Sequence, residues 1–428
     1  MERQVPLGEP VGQNQPKTKE VKMKDRITSL IVNLTEEFIS GKISKEGLWE
    51  EIQRSVIPMI LEGVMRNERE IFLGEHPGEY ANGYYSRRFY YKNTPMDIKV
   101  PRTRTSNFYP SAIPRYSRYL PEEYGEMIES LFLSSRSLEG LKMTLKRLGL
   151  PVSSEEIDNM AQSLADEYKE FTGRELSSDW LVVYIDAKEI EVKSGGKVKK
   201  MVIISGIGVN MEGKKEFLGS LVFEGKETLS CWREFLLDLK NRGVARVLLF
   251  VTDDFSGLIK LIQGLFPLSM HQLCIVHLIR NAKLHLSKEE FVWFKERIEA
   301  IEKADDFDTA YTEFMEMVEK LKSKHPHFSK HLKSRAEAYV TFTKFPKEIR
   351  ARIKSTNASE NLHKELEKIR INSGGYFQSK KILYAKWFVF IKKLMSNRWK
   401  NPEPRFKGCL NKLHGMFYET FESDYEKS

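Results

Sequence analysis

The chain has few cysteines and no long apolar run, and both absences limit what it can be. Three widely spaced cysteines in 428 residues form no disulfide framework, which argues against a disulfide-stabilised secreted domain and favours a reducing compartment. No run approaches the roughly 18–20 apolar residues that a membrane-spanning helix needs, and the polar N-terminus lacks a signal-peptide core. We therefore expect a soluble, cytoplasmic protein with no membrane association.

Basic side chains exceed acidic ones, and one segment concentrates the excess. The sequence holds 69 Lys and Arg against 60 Asp and Glu, a net charge of +9, which favours a polyanionic partner. Residues 83–119 carry eight cations against a single acid, Asp97, with Phe and Tyr residues interleaved. Such cations would neutralise phosphates, and the aromatic rings could stack on bases or pack beneath strands. We favour DNA contact over a solvated hairpin for Arg87, Arg88, Lys92, Lys99, Arg102, Arg104, Arg115 and Arg118.

The first third of the chain is predicted to be mainly helical around this basic segment. Residues 1–24 are polar and contain prolines, so we expect a disordered tail. Apolar residues at helical spacing predict a helical N-terminal unit at 25–82. The alternation that follows predicts a small β-hairpin turning at 93–95. A DNA-binding region would then extend over 83–178.

A helix-turn-helix pattern occupies the end of that region. Residues 137–171 show two helical periods separated by a turn, and Ser153 with Glu156 forms a capping-box pattern for the second helix. On this helix Asn159 and Gln162 could read base edges in a major groove. A purely structural helical hairpin is an equally good interpretation, because the helix begins with acidic residues.

Alternating strand and helix patterns fill the middle of the chain, residues 179–285. Three short β-branched runs separated by glycine turns predict an antiparallel meander. The pattern then gives helix, strand, helix, strand and helix. The order β-β-β-α-β-α-β-α is that of the ribonuclease H-like α/β fold, in which the first strand lies beside the fourth.

Two aspartates are positioned by this order to act together. Asp186 belongs to the first strand and Asp253 follows the fourth, so their carboxylates would converge at one edge of the sheet. Converging carboxylates repel each other unless a cation lies between them, and hard oxygen ligands suit Mg²⁺ or Mn²⁺. Two such ions about 3.5–4 Å apart would clamp the attacking and leaving oxygens of a phosphodiester.

A third carboxylate follows a long helical stretch. Residues 286–352 show helical spacing and no strand pattern, which predicts an all-helical insertion, and 353–428 would supply the final helices and a tail. Glu360, near the start of a helix, could be the third metal ligand. The alternative is a capping box with Asn357, in which Glu360 bonds to the first amide of its own helix. Only the first interpretation brings Glu360 near the two aspartates.

Six sequence motifs in a fixed order carry a family resemblance. They are YIDA, GIGVNMEGKKEFLG, CWREFLLDLKNRG, TDDFSGL, QLCIVHLIRN and STNASENLHKEL. Together the motifs resemble the Mutator-type transposases of bacterial and archaeal insertion sequences, over roughly residues 60–400. NGYYSRRF, VPRTR and the helix-turn-helix segment are similar to the N-terminal half of that family.

The resemblance implies a site and a cofactor. In that family an aspartate, aspartate, glutamate triad on a ribonuclease H-like core binds two divalent ions, here two Mg²⁺ or Mn²⁺ ions on Asp186, Asp253 and Glu360. The Cys-x-x-His element of the family is Cys274 and His277; a structural zinc would need a fourth ligand, so a catalytic contact or a core position is the better interpretation for His277. Arg280, which opens the next helix, could face a phosphate.

One departure from the family pattern concerns the second aspartate. The family usually has glycine directly after its second aspartate, whereas this chain has Asp254. Asp253 is the favoured ligand and Asp254 the alternative. The extra charge could alter metal affinity or mark a copy that has lost activity.

These observations predict a DNA transposase that cuts the ends of an insertion element and joins the 3′-hydroxyl to target DNA. Its partners would be double-stranded DNA of the terminal inverted repeats and of the target, at the nucleoid. Pairing two ends implies at least a homodimer in the working complex. The alternatives are a nuclease or resolvase of the same fold that cuts without joining, and a DNA-binding protein that has lost catalysis.

Overall fold

A computed structural model of the chain shows a mixed α/β protein that is mostly helical. The described residues fall into two compact units, one within 1–129 and 145–151 and the other within 130–144 and 152–428. The residues that the structure describes are 16–91, 94–105, 107–113, 119–120, 122–148 and 153–421.

The first unit combines helices with a small sheet. A single π-helical turn, Ile52–Val56, joins the second helix to the third. The elements are α1 (Pro16–Ile39), α2 (Lys45–Glu51), α3 (Ile57–Glu75), β1 (Ala81–Tyr91), β2 (Thr94–Thr103) and β3 (Tyr119–Leu120).

Helix α1 begins inside the stretch predicted to be a disordered tail. Residues 16–24 are helical, whereas residues 1–15 lie outside the described part of the chain. Proline suits the first helical turn, and the Lys and Glu residues that follow are good helix formers, so local propensity outweighed the polar composition.

Strands β1 and β2 pair antiparallel, and β3 adds a short parallel pairing to β1. Alternate residues of β2, Met96, Ile98 and Val100, are buried with Phe89 of β1 and Met65 of α3. Period-two alternation of apolar residues therefore folds this segment as a sheet with one packed face. Of the predicted turn at 93–95, residues 94 and 95 belong to β2, whereas residues 92–93 lie outside the described residues.

Two helices form the segment that matched the helix-turn-helix pattern. The second of them starts with the predicted capping box, in which Ser153 Oγ accepts from the Glu156 amide and the Glu156 carboxylate accepts from the Ser153 amide. Residues 149–152, which would form the turn, lie outside the described residues. The two helices are α5 (Leu138–Arg147) and α6 (Ser154–Gly173), and α4 (Glu122–Ser134) precedes them.

The predicted order of three strands followed by alternating helices and strands is confirmed for residues 179–285. Gly195 and Gly196, at the first turn, both have positive φ angles, as a tight hairpin turn requires. The elements are β4 (Asp179–Ser194), β5 (Lys197–Val209), β6 (Lys215–Glu224), α7 (Leu229–Asn241), β7 (Arg246–Thr252), α8 (Leu258–Leu265), β8 (Met270–Leu273) and α9 (Ile275–His285).

These five strands form one mixed sheet in the order β6-β5-β4-β7-β8. Strand β4 pairs antiparallel with β5 and parallel with β7, so the first strand lies beside the fourth, as predicted. Helices α7 and α8 cover one face, where Trp180, Phe250, Trp232 and Phe235 are buried. A side chain at Gly208 would place its Cβ 2.3 Å from the Trp180 ring, so this close approach requires glycine.

Only helices follow the sheet in the described part of the chain. Helix α15 packs against β4, on the face that carries Val182, Tyr184 and Asp186. The remaining elements are α10 (Lys288–Lys303), α11 (Phe307–Lys322), α12 (Pro326–Lys333), α13 (Ala336–Val340), a 3₁₀ turn (Thr341–Lys344), α14 (Lys347–Ile353), α15 (Asn357–Asn372), α16 (Lys380–Ser396), α17 (Pro404–Lys407) and α18 (Leu410–Phe421).

Candidate active site

Asp186 lies in the middle of the sheet and is almost fully buried. It sits on β4 directly opposite Ser205 of β5. Its Oδ1 accepts a hydrogen bond from the Ala187 amide at 2.9 Å. The second oxygen, Oδ2, lies 3.0 Å from Nδ1 of His363 on α15. The carboxylate is therefore held by its own strand and by a helix that is distant in sequence.

Asp253 follows β7, the strand whose parallel pairing with β4 ends at Tyr184 and Val251, so it lies beside Asp186 just beyond the end of that pairing. Its Oδ1 accepts from the hydroxyl of Thr356 at 3.1 Å and lies 2.7 Å from Nδ1 of His277. Burial raises the pKa of Asp253, and the negative charge of Asp186 raises it further, although His277 opposes both effects. The repulsion expected from the sequence is thus present.

Glu360 joins the aspartates from the first turn of α15. The N-cap of this helix is Thr356, and the Glu360 carboxylate is paired with Arg280 of α9 through two hydrogen bonds of 3.0 and 3.2 Å. The capping-box alternative is wrong, because Asn357 is itself inside the helix, the N-cap Thr356 makes no side-chain capping bond, and both Glu360 oxygens accept from Arg280. Packing across the sheet outweighed the local pattern.

His277 lies between two of the three carboxylates. Its Nδ1 is 2.7 Å from Asp253 and 3.7 Å from Glu360. Burial disfavours the charged imidazole, but the adjacent Asp253 and Cys274 groups outweigh burial and raise the pKa of His277 to about 10. His277 therefore carries positive charge near neutral pH.

All of these side chains line one open cleft of about 760 Å³. Three carboxylates, one of them with a raised pKa caused partly by another, are a donor set that a hard divalent cation fits. Basic groups also line the cleft, so an anionic substrate would meet positive as well as negative charge. These basic residues are Lys188, Arg280, Lys364, Lys368 and Arg398.

A second grouping of potential ligands overlaps the first. Within the described residues, ligand atoms of Asp253, Cys274 and His277 lie within 4.8 Å of one another. A tetrahedral zinc site needs a fourth ligand. His271, the nearest candidate in sequence, contacts the Thr252 hydroxyl through its Nε2 at 2.8 Å. The chemistry of this group therefore fits the carboxylate site better than a separate structural zinc.

Asp254 points away from the cleft and is bound by the helical segment. Its carboxylate is 14% exposed and contacts His331 and Arg335 at 2.6 Å each, and the hydroxyl of Tyr339 donates to it at 2.9 Å. The Asp254 carboxylate therefore has a structural role. It does not line the cleft, where it could replace Asp253 as a ligand.

Sequence reasoning missed two residues that contact the aspartates and one that contacts them indirectly. Thr356 bonds Asp253 and His363 bonds Asp186, whereas Ser205 bonds His363. Thr356 and His363 lie within the motif STNASENLHKEL, but only Glu360 of that motif was predicted as a site residue, and tertiary packing alone brings these two to the aspartates. The spacing of His363, three residues after Glu360 and hence on a neighbouring position of the same helix, is the one signal that could have identified it.

The basic residues predicted to contact DNA differ in their environments. Arg87 stacks on Phe89 and contacts the hydroxyl of Tyr109, so its guanidinium packs against aromatic side chains. Arg88 is exposed and forms two hydrogen bonds of 2.8 Å with Asp97. The exposed residues also include Arg102, Arg104, Asn159 and Gln162.

Some of the predicted contacts lie where the structure gives no description. Lys92, Arg115 and Arg118 are outside the described residues.

Within the described residues, no helix is both long enough and apolar enough to cross a membrane.

Comparison with known proteins identifies one matching family model. Residues 29–401 match the model described as transposase, Mutator family. The resemblance predicted from the six motifs is thereby confirmed.

Curated relatives match over most of their own length. A transposase for insertion sequence element IS905 from Lactococcus lactis is 26% identical over 79% of this chain and 88% of its own. A transposase for ISRM3 from Rhizobium meliloti is 27% identical over 91% and 98%. Among solved structures, a Drosophila P element transposase strand transfer complex matches at 13% identity, over 69% of this chain and 80% of that one, with a TM-score of 0.27, too low to support a structural argument.

Proposed function

Because the chain belongs to the Mutator family of transposases, we propose that it cuts the ends of an insertion element and joins the freed 3′-hydroxyl to target DNA. One observation carries this proposal. Carboxylates from a central strand, from the end of the neighbouring strand and from a helix more than 100 residues later line a single cleft. We infer a DDE-type site of Asp186, Asp253 and Glu360.

The proposed architecture is a ribonuclease H-like core interrupted by a helical insertion. The strand order β6-β5-β4-β7-β8, with β4 parallel to β7, supports this assignment. The core would comprise 179–285 and 353–428, and the insertion 286–352. Residues 25–82 and 83–178 would form the helical N-terminal unit and the DNA-binding region.

The three carboxylates would hold two Mg²⁺ or Mn²⁺ ions. When bound, these ions would activate the attacking oxygen and stabilise the leaving oxygen of a phosphodiester. Asp186 would be the most firmly held of these ligands, because it is the most buried and both of its oxygens accept hydrogen bonds. The same site would serve water attack, which nicks the DNA, and 3′-hydroxyl attack, which joins it.

Two basic side chains would complete the site. Arg280 pairs with Glu360 through both of its terminal nitrogens, and its side chain is half exposed. The guanidinium group of Arg280 could therefore leave Glu360 and bind a phosphate of the DNA once Glu360 has another positively charged partner. His277 would orient Asp253, or contact the scissile phosphate directly.

The DNA partner would be double-stranded, both at the terminal inverted repeats and at the target. Exposed basic residues of the hairpin would contact phosphates, and Asn159 and Gln162 on α6 would approach base edges. Bringing two element ends together would require at least a homodimer. A protein that acts on DNA in this way would be found at the nucleoid.

Strand transfer with matched inverted-repeat ends tests the proposal. Wild-type protein with Mg²⁺ or Mn²⁺ should yield joined products. Asp186→Asn should reduce both cutting and joining below about one per cent while leaving DNA binding intact, since losing a metal ligand costs several kcal/mol of transition-state stabilisation. Cuts without joining would instead indicate a nuclease or resolvase, and bound but intact DNA would indicate a protein without catalysis.

A further inference from the structure

One buried histidine beside the proposed site has no role in the scheme above. His363 lies on α15 and is 4% exposed. Its Nδ1 is 3.0 Å from Asp186 Oδ2, and its Nε2 is 3.1 Å from the hydroxyl oxygen of Ser205 on the neighbouring strand β5. The ring therefore spans from the catalytic strand to the next strand of the sheet.

The chemistry of Asp186 and Ser205 determines which ring nitrogen of His363 carries the hydrogen. Carboxylate oxygens of an ionised aspartate only accept, so Nδ1 of His363 carries a hydrogen and donates it to Asp186. The Ser205 hydroxyl can then donate to Nε2. The chain of donors runs from Ser205 through His363 to Asp186, whose other oxygen accepts from the Ala187 amide.

This connectivity is the same as in a Ser-His-Asp nucleophile, but the structure excludes that role here. The Ser205 side chain is 0% exposed and lies within β5, and it is absent from the lining of the cleft. No substrate atom could reach its oxygen without opening the sheet. The hydrogen bonds from Ser205 through His363 therefore act on the Asp186 carboxylate and do not make the Ser205 hydroxyl a nucleophile.

We propose that His363 is a positioning residue that orients the Asp186 carboxylate for cation binding. The inference rests on the proposed function, because it assumes that Asp186 is a metal ligand. With one oxygen held by the Ala187 amide and the other by His363, the carboxylate cannot rotate freely, and it lines the cleft. Partners of this kind around a ligand commonly change metal affinity by about 10–100-fold when removed.

Two amide substitutions separate this role from simple packing. His363→Asn keeps a donor at the position of Nδ1 and loses the contact with Ser205. His363→Gln keeps a donor at the position of Nε2 and loses the contact with Asp186. Both variants are neutral and similar in size, so a difference between them reports on which end of the ring matters.

The measurement is Mn²⁺ binding to the full-length protein, by titration calorimetry or electron paramagnetic resonance, with thermal unfolding in parallel. His363→Gln should weaken Mn²⁺ binding at least about tenfold, whereas His363→Asn should stay within about threefold of wild type. Equal losses in the two variants, or no loss in His363→Gln, would overturn the inference.

Two further proteins keep the outcomes distinguishable. If wild type binds no Mn²⁺, or Asp186→Asn binds it as well as wild type, the metal site itself is overturned together with the inference. If Asp186→Asn loses binding and His363→Gln does not, only the role of His363 fails. Should an amide variant not fold, Ser205→Ala removes the contact with Nε2 with little change in volume; its Mn²⁺ binding should stay within about threefold of wild type, as for His363→Asn, and a loss of tenfold or more would contradict the inference.

Discussion

Two adjacent aspartates lie in opposite electrostatic environments. Asp253 faces the cleft, where burial and the charge of Asp186 raise its pKa, with His277 opposing the increase. Asp254 faces the helical segment, where two cationic or polar rings and an arginine satisfy its carboxylate. In the cleft, the negative charges of Asp253 and Asp186 lie close together. In the helical segment, the single charge of Asp254 is surrounded by His331, Arg335 and Tyr339.

This difference separates a site that is arranged for a ligand from a contact that is arranged for stability. Converging acids cost free energy in the absence of a cation, and proteins retain such an arrangement where it is functional. A carboxylate with several donors stabilises the contact between two parts of the fold. The additional negative charge of Asp254 therefore has its partners in the helical segment, and Asp254 is not among the residues that line the cleft.

The largest effect is expected from Asp253→Asn. Cutting and joining should fall below about one per cent of wild type, a loss of at least ~2.7 kcal/mol in transition-state stabilisation. The melting temperature should stay the same or rise, because the amide removes the repulsion with Asp186. Strand-transfer assays and thermal unfolding measure the two effects. A large fall in melting temperature would show that Asp253 is structural, like its neighbour.

The second effect, on stability, should come from Asp254→Asn. Removing this charge leaves Arg335 and His331 without their partner, so the free energy of unfolding should fall by about 2–3 kcal/mol. Denaturant unfolding measures the loss. Mn²⁺ binding should remain within a few-fold of wild type, and a tenfold loss would contradict the division between the two regions.

A pH-dependent effect on stability is expected at His271, which contacts the hydroxyl of Thr252, the residue before Asp253. Burial lowers the pKa of His271 to about 4, although the charge of Asp254 opposes the shift. The unfolded chain takes up a proton below about pH 6.5, whereas the folded state stays neutral until about pH 4. Stability is therefore present above pH 6.5 and is lost as the pH falls towards 4, by on the order of 2 kcal/mol.

His271→Gln should remove this part of the acid sensitivity. The amide can still donate to the Thr252 hydroxyl but does not titrate. Denaturant unfolding at pH 7 and at pH 4.5 should show a smaller difference for the variant than for wild type. An identical pH dependence in both proteins would mean that other groups cause the acid loss.

The smallest effect is expected at an exposed pair in the hairpin. Arg88 and Asp97 are each more than half exposed, so Asp97→Asn should change the free energy of unfolding by less than about 1 kcal/mol. If the hairpin contacts DNA phosphates, freeing Arg88 should strengthen DNA binding, and Arg88→Ala should weaken it and lower the salt dependence. Unchanged affinity in both variants would argue against hairpin contact.

Much of the central sheet was predictable from local patterns. Period-two runs with glycine turns indicated the meander, and the change to helical period indicated the alternating part. The order of the strands predicted that Asp186 and Asp253 would lie together, and the family resemblance favoured Glu360 as the third member of the site. Local patterns failed where two interpretations had the same spacing, as with Glu360 and Asn357, and where helix propensity competed with polar composition, as at residues 16–24.

Periodicity and side-chain type are local properties of a sequence. The sequence therefore sufficed to predict the order of helices and strands, the basic segment at 83–119 and the three candidate acids. Which partner each acid received was decided only by tertiary packing. Nothing in the sequence around Asp254 indicates His331, and nothing around Asp186 indicates His363. Such pairings depend on residues 77 and 177 positions away, and only the folded chain brings those distances down to hydrogen-bond length.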